Sequence, residues 1–294
     1  SSFFDGETQR AYNASPDALL FAFNSLSFQF FPNTNNDLVL IKQTPRLANL
    51  KIDNNLRVVE NPFCIDWKKD IHMSLDRQPN GLWLATFNGN YPSACKSAVW
   101  NIMASDIDSF LAQSIMAAWE DIGGSWLKTP NFQTGHLNKS FRPIMTHFGI
   151  PLYESVKDIN KLSNNVMAKQ LFLTISLEKS GKASNAESSE KIVKEWLKKY
   201  TLEMPELVIE NGSGLSRIER ISSKHLNDIL LLGLNSTSKS YYTESLPIAG
   251  VDGTMKHRLL DKIRKYLPNK KENELLKKNT QGYPETLQKY GAYI

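Results

Sequence analysis

Along this chain the spacing of apolar residues changes from two to about 3.6, and that change limits the fold more than any other feature. Between Asp37 and Met103 the apolar residues alternate in short runs: L-V-L-I, L-K-I-D-N-N-L-R-V-V, I-H-M-S-L, L-W-L-A-T-F and S-A-V-W-N-I-M. Alternation sends every second side chain to one face, which is the pattern of half-buried strands. D-N-N at 53–55 and Q-P-N-G at 78–81 read as hairpin turns between them. Ahead of these runs, Ala18 to Phe31 alternates with a phase change at Asn24-Ser25, predicting a long strand that bends at a bulge and closes at Pro32. A small β domain is expected here.

Helical spacing takes over after Met103. Ile107, Phe110, Leu111, Ile115, Ala118 and Ile122 form a stripe opened by Asp106 or Asp108 and ended by Gly123-Gly124, with Trp119 and Trp126 read as packing residues. Pro151 starts a helix carrying Leu152, Val156 and Ile159, which breaks at Leu162-Ser163 before another from Asn165 to about Leu177. A polar stretch, 178–186, precedes a third helix with Ile192, Val193, Trp196 and Leu197 inward. Next, E-L-V-I-E reads as a strand, N-G-S-G as a tight turn, and Ser222 or Ser223 as the cap of a helix holding Leu226, Ile229 and Leu230. Helices packed against a sheet in such mixed order give an α+β or α/β layer.

The 294 residues suit two or three domains, and no apolar run is long enough to span a bilayer, so the mature chain is expected to be soluble. The formal charge is +5. Most of it sits in 261–282, where seven Lys/Arg face three acids. A local basic excursion reads as a solvated face rather than a nucleic-acid surface. The histidines at 72, 136, 147, 225 and 257 are scattered with no metal-ligand spacing, so neither a metal nor a cofactor is expected. Cys64 and Cys95 are the two cysteines, either buried thiols or a bridge.

Chemistry concentrates in K-L-S-N-N-V-M-A-K-Q-L-F-L-T-I-S, Lys161 to Ser176. Short polar side chains at Ser163, Asn164 and Asn165 can cap the helix that follows. The triplet S-x-N also occurs in serine acyl-transferases of the penicillin-binding type, between an S-x-x-K and a K-T-G. Downstream, E-N-G-S-G-L-S-R (210–217) admits two readings. A strand, glycine turn and helix can cradle phosphate, yet the glycines do not follow G-x-G-x-x-G and no G-K-[ST] occurs, which favours a structural loop. V-D-G-T-M at 251–255 reads as a turn with Asp252 and Thr254 as caps.

Taken in order, D-I-N-K-L-S-N-N-V-M-A-K-Q-L-F-L-T, Pro205 to Ser222 and Ser245 to Leu259 closely resemble the D-alanyl-D-alanine carboxypeptidase/endopeptidase family, the class C low-molecular-mass penicillin-binding proteins. Phe4 to Leu20 and F-N-G-N-Y-P-S-A-C-K, Phe87 to Lys96, also resemble segments of it. The resemblance implies an α+β multidomain protein: part of a transpeptidase/β-lactamase-like domain, helices against an antiparallel sheet, with inserted domains. On that basis 1–32 and 104–140 form a split inserted α/β domain, 33–103 an inserted β-rich domain, and 141–294 the later part of the catalytic domain. It also implies a Cys64–Cys95 disulfide and a periplasmic location in the bacterial envelope.

The implied reaction is hydrolysis of peptidoglycan stem peptides through an acyl-serine, blocked by β-lactam antibiotics. Ser163 maps onto the family serine that passes a proton, and Asn165 onto the asparagine that holds a substrate carbonyl and orients the lysine. Ser93–Lys96, Ser176–Lys179, Ser188–Lys191 and Ser236–Lys239 fit S-x-x-K but lie at the wrong place in the motif order. The nucleophile is therefore expected before Ser1 and K-T-G after G-A-Y-I at 291–294, leaving this chain inactive alone. A non-catalytic cell-wall binding or scaffold protein with the same fold is the rival expectation.

Overall fold

The computed structural model describes residues 6, 11–33, 35–103, 107–128, 130–133, 135, 140 and 142–258. Two compact units emerge: 1–8, 12–20 and 146–294 form one, and 9–11 with 21–145 form the other. The Lys-rich 261–282 and the 291–294 segment fall outside the described residues, as do Asp106 and His136.

The second unit is built on six strands: β1 (Ser25–Asn33), β2 (Leu38–Thr44), β3 (Leu50–Val59), β4 (Ile71–Arg77), β5 (Trp83–Pro92) and β6 (Ala98–Met103), followed by helix α1 (Ile107–Asp121). Their order across the sheet is β4-β5-β3-β2-β1-β6. All pairings are antiparallel except β3 with β5, which run parallel from Leu50↔Trp83 to Val59↔Pro92. The alternating residues do face one way. Leu26, Phe28 and Phe30 of β1 join Leu56, Val58, Phe87 and Tyr91 in one core, where Phe87 meets Phe28 and Phe30 edge-on at 4.9 and 5.4 Å. Cys64 and Cys95 form a disulfide that ties the loop ahead of β4 to the turn after β5.

Three local expectations change. Phe21–Asn24 is a short 3-10 segment with left-handed residues Ala22, Phe23 and Asn24, so the phase change marks the start of β1 and not a bulge within it. Pro32 continues β1, opposite Val39. No hairpin forms at 53–55: β3 passes straight through Asp53, Asn54 and Asn55. Trp119 and Trp126, 42% and 40% exposed, do pack as expected, against each other at 5.8 Å and outside the core.

In the first unit the described elements are helices: α2 (Leu152–Leu162), α3 (Asn165–Ser180), α4 (Ala186–Lys198), α5 (Ser223–Leu234) and α6 (Lys239–Ser245). The strand expected at E-L-V-I-E reduces to a single antiparallel bridge, Val208 with Arg220. Leu197, Met204 and Leu207 form a small core, whereas Trp196 is exposed rather than inward, and Leu226 and Leu230 of α5 are exposed as well. A sheet-bearing unit and a helical unit in one chain make the architecture α+β.

Candidate functional site

Two helices meet at the S-N-N triplet, and each residue does a different job. Ser163 ends α2 in a left-handed conformation, φ 52° and ψ 47°, and the N–H of Asn164 reaches back to the Ile159 carbonyl at 3.0 Å. Asn164, in extended conformation, begins α3: its side-chain oxygen accepts from the Met167 N–H at 3.0 Å. Asn165 is then the first helical residue. The cap is therefore Asn164, not Ser163, and the Ser163 hydroxyl stays exposed.

V-D-G-T-M closes on this corner. The Lys161 ammonium, with only 13% of its side chain exposed, donates to the Leu246 carbonyl at 2.7 Å and pairs with Asp252 Oδ2 at 2.6 Å. The other Asp252 oxygen accepts from the Ile248 N–H at 2.8 Å. Gly253 lies so close to α2 that a Cβ on it would stand 2.4 Å from the Lys161 carbonyl oxygen, and its φ is +56°, so glycine is required. Thr254 Oγ1 comes within 3.5 Å of Ser163 Oγ. Asp252 and Thr254 thus brace the corner; neither side chain caps the short 3-10 turn Gly253–Met255. One layer out, Asn160 donates to the buried Ser245 hydroxyl at 2.8 Å.

The glycine loop shows what it can bind. Glu219 Oε1 accepts from the backbone N–H groups of Glu210, Asn211 and Gly212 at 3.0, 3.0 and 3.3 Å. A phosphate would need those donors free and would be repelled by the carboxylate that occupies them. The phosphate-cradle alternative is excluded for this loop, which is structural: Gly212 sits against Phe172, where a Cβ would approach its ring side chain to 2.8 Å.

Each S-x-x-K serine is also engaged. Ser93 bonds with Asn61, Ser176 is fully buried and donates to Ser188 Oγ at 2.8 Å, Ser188 completes a capping box with Asn185, and Ser236 donates to the Gly233 carbonyl. His225 Nδ1 contacts Glu206, whose carboxyl is held down at about 2 by hydrogen bonds from Ser222 and then His225. Among the described residues no three His, Cys, Asp or Glu gather as a metal site, and no helix is long and apolar enough to cross a membrane.

Of the residues singled out in the sequence, Ser163 and Asn165 stand together at the helix corner. Lys161, Asp252 and Thr254 were not foreseen in these roles, because nothing in a single sequence pairs positions ninety-one apart, and Glu219 was not because its bonds to 210–212 follow no periodicity.

Comparison with known proteins adds an independent line. A 155-residue stretch is 27% identical to D-alanyl-D-alanine carboxypeptidase DacB of Haemophilus influenzae, covering 51% of this chain and 31% of that protein. The crystal structure of penicillin binding protein 4 (dacB) from Haemophilus influenzae superimposes with a TM-score of 0.51 at 19% identity, covering 86% of this chain and 54% of that one. A second structure of that protein, complexed with a novel β-lactam, gives 0.48 at 21% identity over 80% and 53% of the two chains. The chain thus spans about a third of the curated relative and about half of the solved one. The model of the D-Ala-D-Ala carboxypeptidase 3 (S13) family matches residues 2–270, nearly the whole chain, and the protein belongs to that family.

Proposed function

We propose that this chain is part of a serine D-alanyl-D-alanine carboxypeptidase/endopeptidase that cleaves peptidoglycan stem peptides and is acylated by β-lactams. One observation carries the role of the S-N-N triplet: Asn164 takes over the capping, which leaves the Ser163 hydroxyl exposed beside the first residue of α3. In this reading a serine hydroxyl attacks the carbonyl of the penultimate D-alanine and gives up its proton to a lysine. The C–N bond breaks, the terminal D-alanine leaves as an amine, and water hydrolyses the ester. Ser163 passes the proton toward the leaving amine, since a hydroxyl both donates and accepts. The Asn165 amide holds a substrate carbonyl and orients the lysine.

Neither the nucleophile nor its lysine is assigned to a residue of this chain, and the four S-x-x-K serines are spent on structural hydrogen bonds. We assign 141–294 to the catalytic domain, 33–103 to the β-rich insertion, and 1–32 with 104–140 to the split insertion. The disulfide Cys64–Cys95 supports an oxidising compartment, hence the periplasm.

The test is the intact mass of the complete protein, purified from its own cells, with and without excess benzylpenicillin. A single covalent adduct is expected, and Ser163→Ala should slow its formation sharply with little loss of stability. Unchanged acylation in Ser163→Ala removes the proton-relay role. No adduct on the wild type moves the assignment to the non-catalytic cell-wall scaffold.

A further inference from the structure

Beside α3 the first unit holds a pocket of about 600 Å³, within the range that takes a small organic molecule. Phe172, Leu173 and Leu215 supply apolar wall, and Ser15, Asn185 and Ser216 add polar groups. Three charged residues line it: Lys169, Glu210 and Arg217. Glu210 and Arg217 are exposed and of opposite sign.

Lys169 is different. It is only 4% exposed, and its Nζ, closed to solvent, has no hydrogen-bond partner among the described residues. A buried ammonium without an acceptor is unfavourable, because it has given up its hydration and gained no partner in return. Burial accordingly pushes the amine below the usual lysine range. Buried cations are ordinarily paired, and among the described residues no acceptor bonds to this one, although the exposed Glu210 carboxylate also lines the pocket.

We infer that the pocket is a binding site for a small organic carboxylate, whose charged group pairs with Lys169 and whose apolar body lies on Phe172 and Leu173. A turn of the flexible lysine stem brings the amine to the carboxylate, and the ion pair forms in a partly enclosed space where it is screened little. This site is separate from Ser163 and Asn165, neither of which lines the pocket, and it stands whether or not the hydrolase assignment does.

Calorimetric titration of the full chain with 3-phenylpropionate, and with its neutral isostere 3-phenylpropionamide, tests the inference. The acid should bind at least about tenfold more tightly than the amide, and Lys169→Met should erase that preference while Lys169→Arg retains it. Ser163→Ala should leave both affinities unchanged. Circular dichroism establishes that each variant is folded. Equal binding of acid and amide to the wild type, no binding of the acid up to about 20 mM, or a preference that survives in folded Lys169→Met would each overturn it. Loss of acid binding in Ser163→Ala would overturn it too, by moving the ligand to the other site.

Discussion

The two units achieve order by different means. In the sheet unit, large apolar side chains are completely enclosed: Phe28, Phe30, Phe87 and Tyr91 have no exposed surface, and their rings lie 4.9 to 6.0 Å apart. In the helical unit much of what is enclosed is polar, Lys169, Ser176, Ser189 and Ser245, while Leu226, Leu230, Leu231 and Leu234 of α5 stay exposed. Burial of apolar area has no preferred direction, so it fixes a core without fixing any one atom. Hydrogen bonds and ion pairs are directional, and they hold the Ser163 corner in one geometry. The unit that carries the candidate chemistry is the one whose shape rests on named polar contacts.

Substitutions in the two units should expose this contrast. Phe87→Ala opens a cavity against Phe28 and Phe30 and should cost about 4 kcal/mol in denaturant unfolding, with the Ser163 corner untouched. Asp252→Ala removes the partner of a mostly buried ammonium and should cost about 2 kcal/mol. Proteolysis or hydrogen exchange should show that loss centred on the α2–α3 junction, and an equal loss spread through the sheet would break the distinction. Asn164→Ala deletes a helix cap and should cost about 1 kcal/mol, whereas Ser163→Ala, which caps nothing, should stay within about 0.5 kcal/mol. The smallest effect concerns Glu206. Its carboxyl is depressed to about 2 when folded, against an ordinary value of 4.5, so its contribution is present above pH 4.5 and fades as pH falls toward 2. Glu206→Gln should flatten that part of the stability profile, and an unaltered acid limb would show that the Ser222 and His225 bonds do not hold the carboxylate.

Strands and helices were legible wherever one face is apolar, because burial forces the period onto the sequence. The 78–81 turn is found where expected, between β4 and β5. The supposed turn at 53–55 was misread for a specific reason. Between β2 and β3 the only paired residues are Leu38 and Arg57, so the 53–55 stretch of β3 is laddered to β5 alone. Asn54 uses its side chain to reach the Val39 carbonyl and its own Leu56 N–H, doing with turn chemistry what a backbone ladder would have done. Strand direction was not legible at all, since alternation is the same in parallel and antiparallel pairs. At the candidate site, the motif gave Ser163 and Asn165 but could not say which of three polar residues would cap. That is decided by the left-handed turn at Ser163, which brings Asn164 into register with the Met167 N–H. The Asp252 and Glu219 contacts are long-range or loop-internal, and no periodicity encodes them.

The left-handed backbone at Ser163 also governs how its side chain can be interrogated. Alanine there keeps a Cβ in a region that crowds it, whereas glycine adopts φ 52° freely and removes the hydroxyl as well. The two replacements form a matched pair that lack the same oxygen and differ in the ease of the corner. If both lose the same amount of activity, the oxygen is responsible. If glycine alone loses more, rigidity of the corner is itself part of the mechanism.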